Sequence, residues 1–243
     1  MSMKRVITGV LAAALLSIGA YAEPAPSVAD AVMNRDKQAL RSLLQQKTDV
    51  NAAQADGTTA LHWAVHQDDV EAVDLLLAAG ANAKAANRQG ATPLYLACEN
   101  GNAVMVDKLL KGGADANATV LLHGETPLMI ASRSGKIDTV KLLLDRGAQV
   151  NAKETLRETT AVMWAAEQNH ADVVKLLVER GADVTVQSKK EIAKKQYGVV
   201  YKVKEGSSAG GTTALVLAAR EGAIESVAAL LAAKADQIGR AHV

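Results

Sequence analysis

Residues Gly90 to Ala118 read GATPLYLACENGNAVMVDKLLKGGADANA. The stretch is one complete pair of helices. Thr92 brings a hydroxyl to the start of the first helix, and Pro93 follows at the first helical position, where a missing N–H costs nothing. Leu94, Ala97 and Cys98 recur at helical spacing, and Gly101 stops the helix. Val106, Leu109 and Leu110 line a second helix that Gly112 and Gly113 end, and residues 114–118 lead away as an extended turn. Each helix has about two turns, too few to persist alone in water. Such a unit has to stack on copies of itself.

The copies are present. The helix-opening threonine recurs as Thr59, Thr92, Thr126, Thr160 and Thr213, at intervals of 33, 34, 34 and 53 residues. The last interval is one repeat plus an insertion. A leucine slot holds Leu61, Leu94, Leu128, Val162 and Leu215, and a small-residue slot holds Ala64, Ala97, Ala131, Ala165 and Ala218. Second helices end as Leu-Leu-Ala-Ala-Gly-Ala at 76–81, Leu-Leu-Asp-Arg-Gly-Ala at 143–148 and Leu-Val-Glu-Arg-Gly-Ala at 177–182. This period and its G-x-T-x-L…A…G…LL…GA pattern resemble the ankyrin repeat, over most of residues 28–236. The resemblance implies an all-α, helix-turn-helix solenoid with projecting β-hairpin loops.

Composition agrees with thin layers of closely packed helices. About half of the 243 residues are apolar (49%), phenylalanine is absent, and the formal net charge is +1. A charge so near zero gives no reason to expect nucleic acid. The single cysteine, Cys98, shares its slot with Val65, Ser132, Ala166 and Ala219, which predicts a buried structural thiol.

Residues 1–22 have the layout of a secretory signal peptide: Lys4-Arg5, an apolar run from Val6 to Ala20, and the small-x-small site Ala20-Tyr21-Ala22. Cleavage there predicts a mature chain starting at Glu23, periplasmic or secreted, with no membrane span left. Residues 23–27 are a short leader. Residues 28–52 form a degenerate first repeat, with Val28, Ala31, Val32, Leu40, Leu43 and Leu44 on an apolar face. Asp30, Arg35, Asp36, Lys37, Gln38 and Arg41 make the solvated face that a terminal cap needs. Trp63 and Trp164 share a slot with Leu96, Ile130 and Leu217 and are expected in the core. Asp68 and Asn169 replace the glycine that ends a first helix, and both residue types tolerate the left-handed conformation.

Residues 187–209 break the period. Lys189, Lys190, Lys194, Lys195, Lys202 and Lys204 outnumber Glu191 and Glu205, and Tyr197 to Val203 is rich in β-formers. A partly ordered basic hairpin is expected; its charge is either a solvated run or a contact for an acidic partner over 189–204. The sixth repeat ends at Asp236, with Lys234 in the slot of the helix-ending glycine. Residues 237–243 leave the pattern altogether. Ile-Gly-Arg-Ala-His-Val is one translation of a common sequencing adapter, so this tail is expected to be non-native.

No catalytic constellation emerges, and neither a metal nor another cofactor is expected. His62 and His66 stand four apart on a helix but lack a third ligand in the sequence around them. In the family resembled, the histidine of T-A-L-H, here His62, bonds within the turn network. The resemblance implies a non-enzymatic scaffold that binds a protein partner through a concave face and the hairpin tips. Carried onto this chain, the tips are Asp56, Arg88, Gln89, Leu122, His123, Leu156 and Arg157. The ends of the first helices are His66, Gln67, Glu99, Asn100, Arg133, Ser134, Glu167, Gln168, Arg220 and Glu221. These residues differ between copies while the packing slots stay alike. Leu121, Leu122 and Leu156 are apolar where tips project, so they either touch a partner or fold back on neighbouring hairpins. Two other functions fit the same pattern: the binding half of a longer protein, or an inhibitor or immunity-type protein masking a secreted enzyme or toxin.

Overall fold

A computed structural model describes residues 27–119, 123–189, 195–196, 199–200 and 211–240. The signal peptide, Leu121 and Leu122, most of the insertion and the last three residues lie outside the described residues. Six helix pairs follow one another. They are α1 (Val28–Met33) with α2 (Lys37–Gln45), α3 (Ala60–His66) with α4 (Val70–Ala78), and α5 (Pro93–Asn100) with α6 (Ala103–Lys111). Then come α7 (Pro127–Arg133) with α8 (Ile137–Asp145), α9 (Ala161–Glu167) with α10 (Ala171–Glu179), and α11 (Ala214–Arg220) with α12 (Ile224–Arg240). The first helices α1, α3, α5, α7, α9 and α11 pack in succession, and α4, α6, α8, α10 and α12 form a second row behind them. This is the all-α solenoid that the repeats predict.

The packing slots explain the stacking. Leu61, Leu94, Leu128 and Val162 are buried in the first helices, as are Leu76, Leu109, Leu143 and Leu177 in the second. Val65, Cys98, Ser132 and Ala166 are fully buried between adjacent first helices. Burial pushes the Cys98 thiol far above its usual range, which keeps it protonated and unreactive. In the last described pair, Val216 of α11 and Leu231 of α12 are 49% and 52% exposed.

Capping follows the sequence in three of five copies: Thr92, Thr126 and Thr213 accept from the N–H three residues on. At Thr59 the hydroxyl turns instead to His62 Nδ1, 2.8 Å away. Asp68 and Asn169 take φ of 58° and 57°, the left-handed conformation expected of them. Three expectations change. Asp30 is half-buried, not solvated, because its carboxylate closes a capping box with Ser27 at 2.7 Å. Trp63 is only half-buried, whereas Trp164 is buried. And α12 does not stop at Lys234. The corresponding glycines, Gly80, Gly113, Gly147 and Gly181, all end their helices at positive φ; a lysine there meets the Cβ penalty, and the helix runs on to Arg240. In the insertion, Lys195–Gln196 pairs antiparallel with Val199–Val200, a ladder that begins earlier than Tyr197.

Adjacent repeats are fastened along their exit turns. Asn51 Nδ2 donates to the Gly80 carbonyl (3.2 Å), and Asn51 Oδ1 accepts from the Asn82 N–H (2.7 Å). Asn117 does the same with Gly147 (3.0 Å) and Gln149 (2.8 Å), and Asn151 with Gly181 (3.0 Å) and Asp183 (2.8 Å). Lys84 and Thr185 hold this slot in the second and fifth repeats. Ion pairs lie along the second row. Glu71 meets Lys37 and Arg41, Asp74 meets Lys108, Asp107 meets Arg146, and Asp145 meets Arg180. Each is exposed and worth little singly.

His62 fastens the second repeat to the third. Its Nδ1 faces the Thr59 N–H (3.2 Å) and hydroxyl, and its Nε2 faces the Ala91 carbonyl (3.0 Å), so Nε2 carries the proton. Burial holds the ring below the usual imidazole range, against the Ala91 bond, which pulls it up.

Two predictions follow from these fasteners. Lys84→Asn places an amide between the Gly113 carbonyl and the Asp115 N–H and raises stability by about 1 kcal/mol, while Asn117→Ala lowers it by about 1–2 kcal/mol, read as shifts in urea midpoint. Because the folded pKa of His62 is depressed, the unfolded chain takes up the proton first. Its contribution is present above the free-histidine value near 6.5 and is lost as pH falls below it. Urea midpoints measured from about pH 7 down to about pH 5 should fall less steeply in His62→Met than in the parent chain.

Candidate functional site

The variable residues lie in the hairpin tips and at the C-terminal ends of the first helices. Main-chain bonds string neighbouring tips together. Arg88 N–H donates to the Asp56 carbonyl (2.8 Å), Thr155 N–H to the His123 carbonyl (2.7 Å), and Lys189 N–H to the Arg157 carbonyl (2.6 Å). The tip side chains are thereby carried on a paired edge.

The tip of the second repeat is built on Asp56, whose carboxylate accepts from the Thr58 N–H (2.9 Å) and hydroxyl (2.8 Å). Those bonds hold its carboxyl below the usual range, with a smaller push from the Arg88 charge. Asp56, Arg88 and Gln89 are all exposed. Trp63 Nε1 donates to Gln54 Oε1 (2.8 Å), and exposed His66 stands edge-on to the indole at 6.0 Å between ring centroids. A groove of about 220 Å3 opens here between the second and third repeats, lined by Asp56, Trp63, His66, Asn87, Gln89 and Leu96 among others.

The tip of the fifth repeat is built on Glu154, a residue only 2% exposed. Its two oxygens accept from the N–H groups of Leu156 (2.6 Å), Arg157 (2.9 Å) and Thr159 (2.9 Å) and from the Thr159 hydroxyl (2.8 Å). That hydroxyl in turn accepts from Trp164 Nε1 at 2.8 Å. Burial drives the Glu154 carboxyl up, but the bonds from Thr159, Arg157 and Leu156 prevail and hold it below the usual range. Leu156 stands 37% exposed on the turn so made. His123 is exposed on the neighbouring tip; Leu122 lies outside the described residues.

The helix ends divide into two kinds. Some variable residues are already engaged within the chain. Gln67 Nε2 donates to the Met33 carbonyl (2.9 Å), and Asn100 Nδ2 to the Val65 carbonyl (3.1 Å). The Arg133 guanidinium lies 5.1 Å from the centre of the Trp164 ring, and Arg220 bridges Glu167 (3.3 Å) and Glu221 (2.8 Å). Ser134 is half-buried at the end of α7, and exposed Gln168 closes α9. Exposed Glu99 takes part in no ion pair among the described residues. The open residues are thus concentrated at Asp56, His66, Arg88, Gln89 and Glu99, with Leu156 further along.

Sequence reasoning missed the asparagine fasteners and Glu154. The asparagines had a signal, since Asn117 and Asn151 stand one repeat apart at the same place in the exit turn. Glu154 had none, because the aligned residues of other tips are of different types. For chemistry, the arrangement offers little. Both ring nitrogens of His62 are engaged, and among the described residues no group of three or more His, Cys, Asp or Glu converges on a metal site. No helix among them is long and apolar enough to cross a membrane.

A family model of ankyrin repeats in three copies matches residues 28–120 and again residues 105–188. No curated protein matches the chain.

Glu154→Gln replaces one acceptor oxygen with an amide N–H2 that faces backbone donors, and costs about 1–3 kcal/mol at neutral pH. The depressed carboxyl contributes stability above the free-glutamate range, and that part fades as pH falls through it. The gap between variant and parent, measured by urea unfolding, should therefore narrow towards pH 4.

Proposed function

Since the chain belongs to the ankyrin repeat family, we propose that it is a scaffold that binds one protein partner across its hairpin tips and first-helix ends. Ankyrin repeats are general protein–protein interaction modules, and domains built of them are typically non-catalytic. The observation that carries the reading is the contrast between slots. Packing residues repeat from copy to copy and are buried, whereas the tip residues Asp56, Arg88, Gln89 and Leu156 differ between copies and are exposed on bonded turns. Holding those turns in place before binding lowers the ordering cost of association. The motif at residues 1–22 supports a place of action outside the cytoplasm, in a periplasm or secreted. The lysine excess over 189–204 supports an additional contact with an acidic surface.

The test is affinity capture from periplasmic extract with the full chain as bait, beside two variants. Gln89→Ala, Leu156→Ala and Arg157→Ala combined should release the partner. Lys141→Ala with Lys175→Ala, on the second-helix row, should retain it. Undiminished capture by the tip variant, or loss with the second-row variant, places the interface elsewhere.

A further inference from the structure

The groove between the second and third repeats has a definite chemistry. One wall is the half-buried indole of Trp63, another is Leu96, and the rim carries the Asp56 carboxylate with the amides of Asn87 and Gln89. Asp56 is exposed, and among the described residues it takes part in no ion pair. Its two internal bonds, to Thr58, leave acceptor positions on a carboxylate that can accept about four. The indole N–H is already given to Gln54, so the ring offers no donor, and its half-buried surface shares the groove with the exposed His66 imidazole that stands edge-on to it.

The chain itself shows what the aligned ring takes. Trp164 occupies the same slot as Trp63, its N–H is likewise given to its own hairpin, and the Arg133 guanidinium lies 5.1 Å from its centre. The direction of approach differs. Arg133 comes from the preceding repeat, whereas the groove at Trp63 opens towards the following one. The pairing of ring with guanidinium is what carries over. At Trp63 the residue that ends the preceding first helix is Met33, so among the described residues no guanidinium lies over this ring as Arg133 does over Trp164.

We propose that this groove is an arginine socket, taking one guanidinium side chain of the protein partner against the Trp63 ring with its donors on Asp56 and Gln89. The proposal rests on the reading that this face binds protein. A guanidinium fits because it is planar, stacks on an indole and donates in several directions at once; a lysine ammonium satisfies the carboxylate but not the ring face. A volume of about 220 Å3 suits one side chain and is too small for a helix. Arg88 lies outside the lining, and its charge reaches Asp56 only weakly, so the carboxylate keeps acceptor positions for an incoming guanidinium.

The chain has two tryptophans, so an 15N-labelled sample of the full chain gives two indole N–H peaks by NMR. Titration with N-acetyl-arginine amide at millimolar concentrations should move the Trp63 peak saturably and leave Trp164 in place. N-acetyl-norleucine amide should move neither. Asp56→Asn keeps an acceptor for the Thr58 N–H, so the turn survives, and should weaken the arginine response about threefold to fivefold. A Trp63 peak that ignores the arginine probe, follows norleucine equally, or is indifferent to Asp56→Asn overturns the socket. If that happens while the tip variant still releases the captured partner, the face binds protein and only the socket is wrong.

Discussion

Five alanines set the spacing of the whole array. Ala64, Ala97, Ala131, Ala165 and Ala218 are each fully buried at the same slot of the first helix. Full burial at a slot held by alanine in every one of these copies leaves room for a methyl group and little more. A helix of about two turns has no stability of its own, so each pair exists only because the next lies against it. Any side chain larger than a methyl at that slot costs about 1–3 kcal/mol in overpacking and forces two layers apart. The scarcity of aromatic residues, the run of valines and leucines behind the alanines and the buried thiol of Cys98 are consequences of the same close approach.

Around that constraint the repeats are fastened by different means at different interfaces. The asparagines of the exit turns join the first repeat to the second, the third to the fourth and the fourth to the fifth. The second and third lack this fastener and are joined instead by the His62 ring, the Asn100 amide and the Lys108–Asp74 pair. The fifth and sixth are joined by Asn169, which donates to Glu225 at 2.5 Å and accepts from the Ser226 N–H. Nearest-neighbour contacts are the only route by which such an array coheres, so each interface needs its own set.

Much of this was legible in the sequence, because scaffold information is written five times over. The leucine, alanine and glycine slots, the burial of Cys98 and the left-handed turns at Asp68 and Asn169 all follow from comparing copies. Comparison fails where a slot changes residue type. Glu154 gathers four donors into its tip, and its counterpart Asn87, which accepts from the Gln89 and Ala91 N–H groups, is a shorter, neutral amide. Comparison also says which residues vary but not which are already engaged. Gln67, Asn100, Arg133 and Arg220 vary as freely as Asp56 and Arg88, yet the side chains of the former reach a neighbouring repeat, whereas Asp56 bonds only Thr58 of its own turn and, like Arg88, stays exposed. Lys234 failed for a third reason. A slot filled by the wrong residue type does not keep the old conformation, and α12 simply continued.

The helix ends of the third to sixth repeats alternate in sign: Glu99, Arg133, Glu167, Arg220. Opposite charges one repeat apart cancel at distances beyond a Debye length of about 8 Å at physiological ionic strength. That stretch of the face casts no field into the surrounding solution and draws nothing towards it. A protein that docked there would arrive by unaided diffusion, at rates of about 10⁵–10⁶ M⁻¹s⁻¹ that added salt hardly changes, and only after arrival would the row discriminate. Over those four helix ends the array judges what touches it and does not summon it.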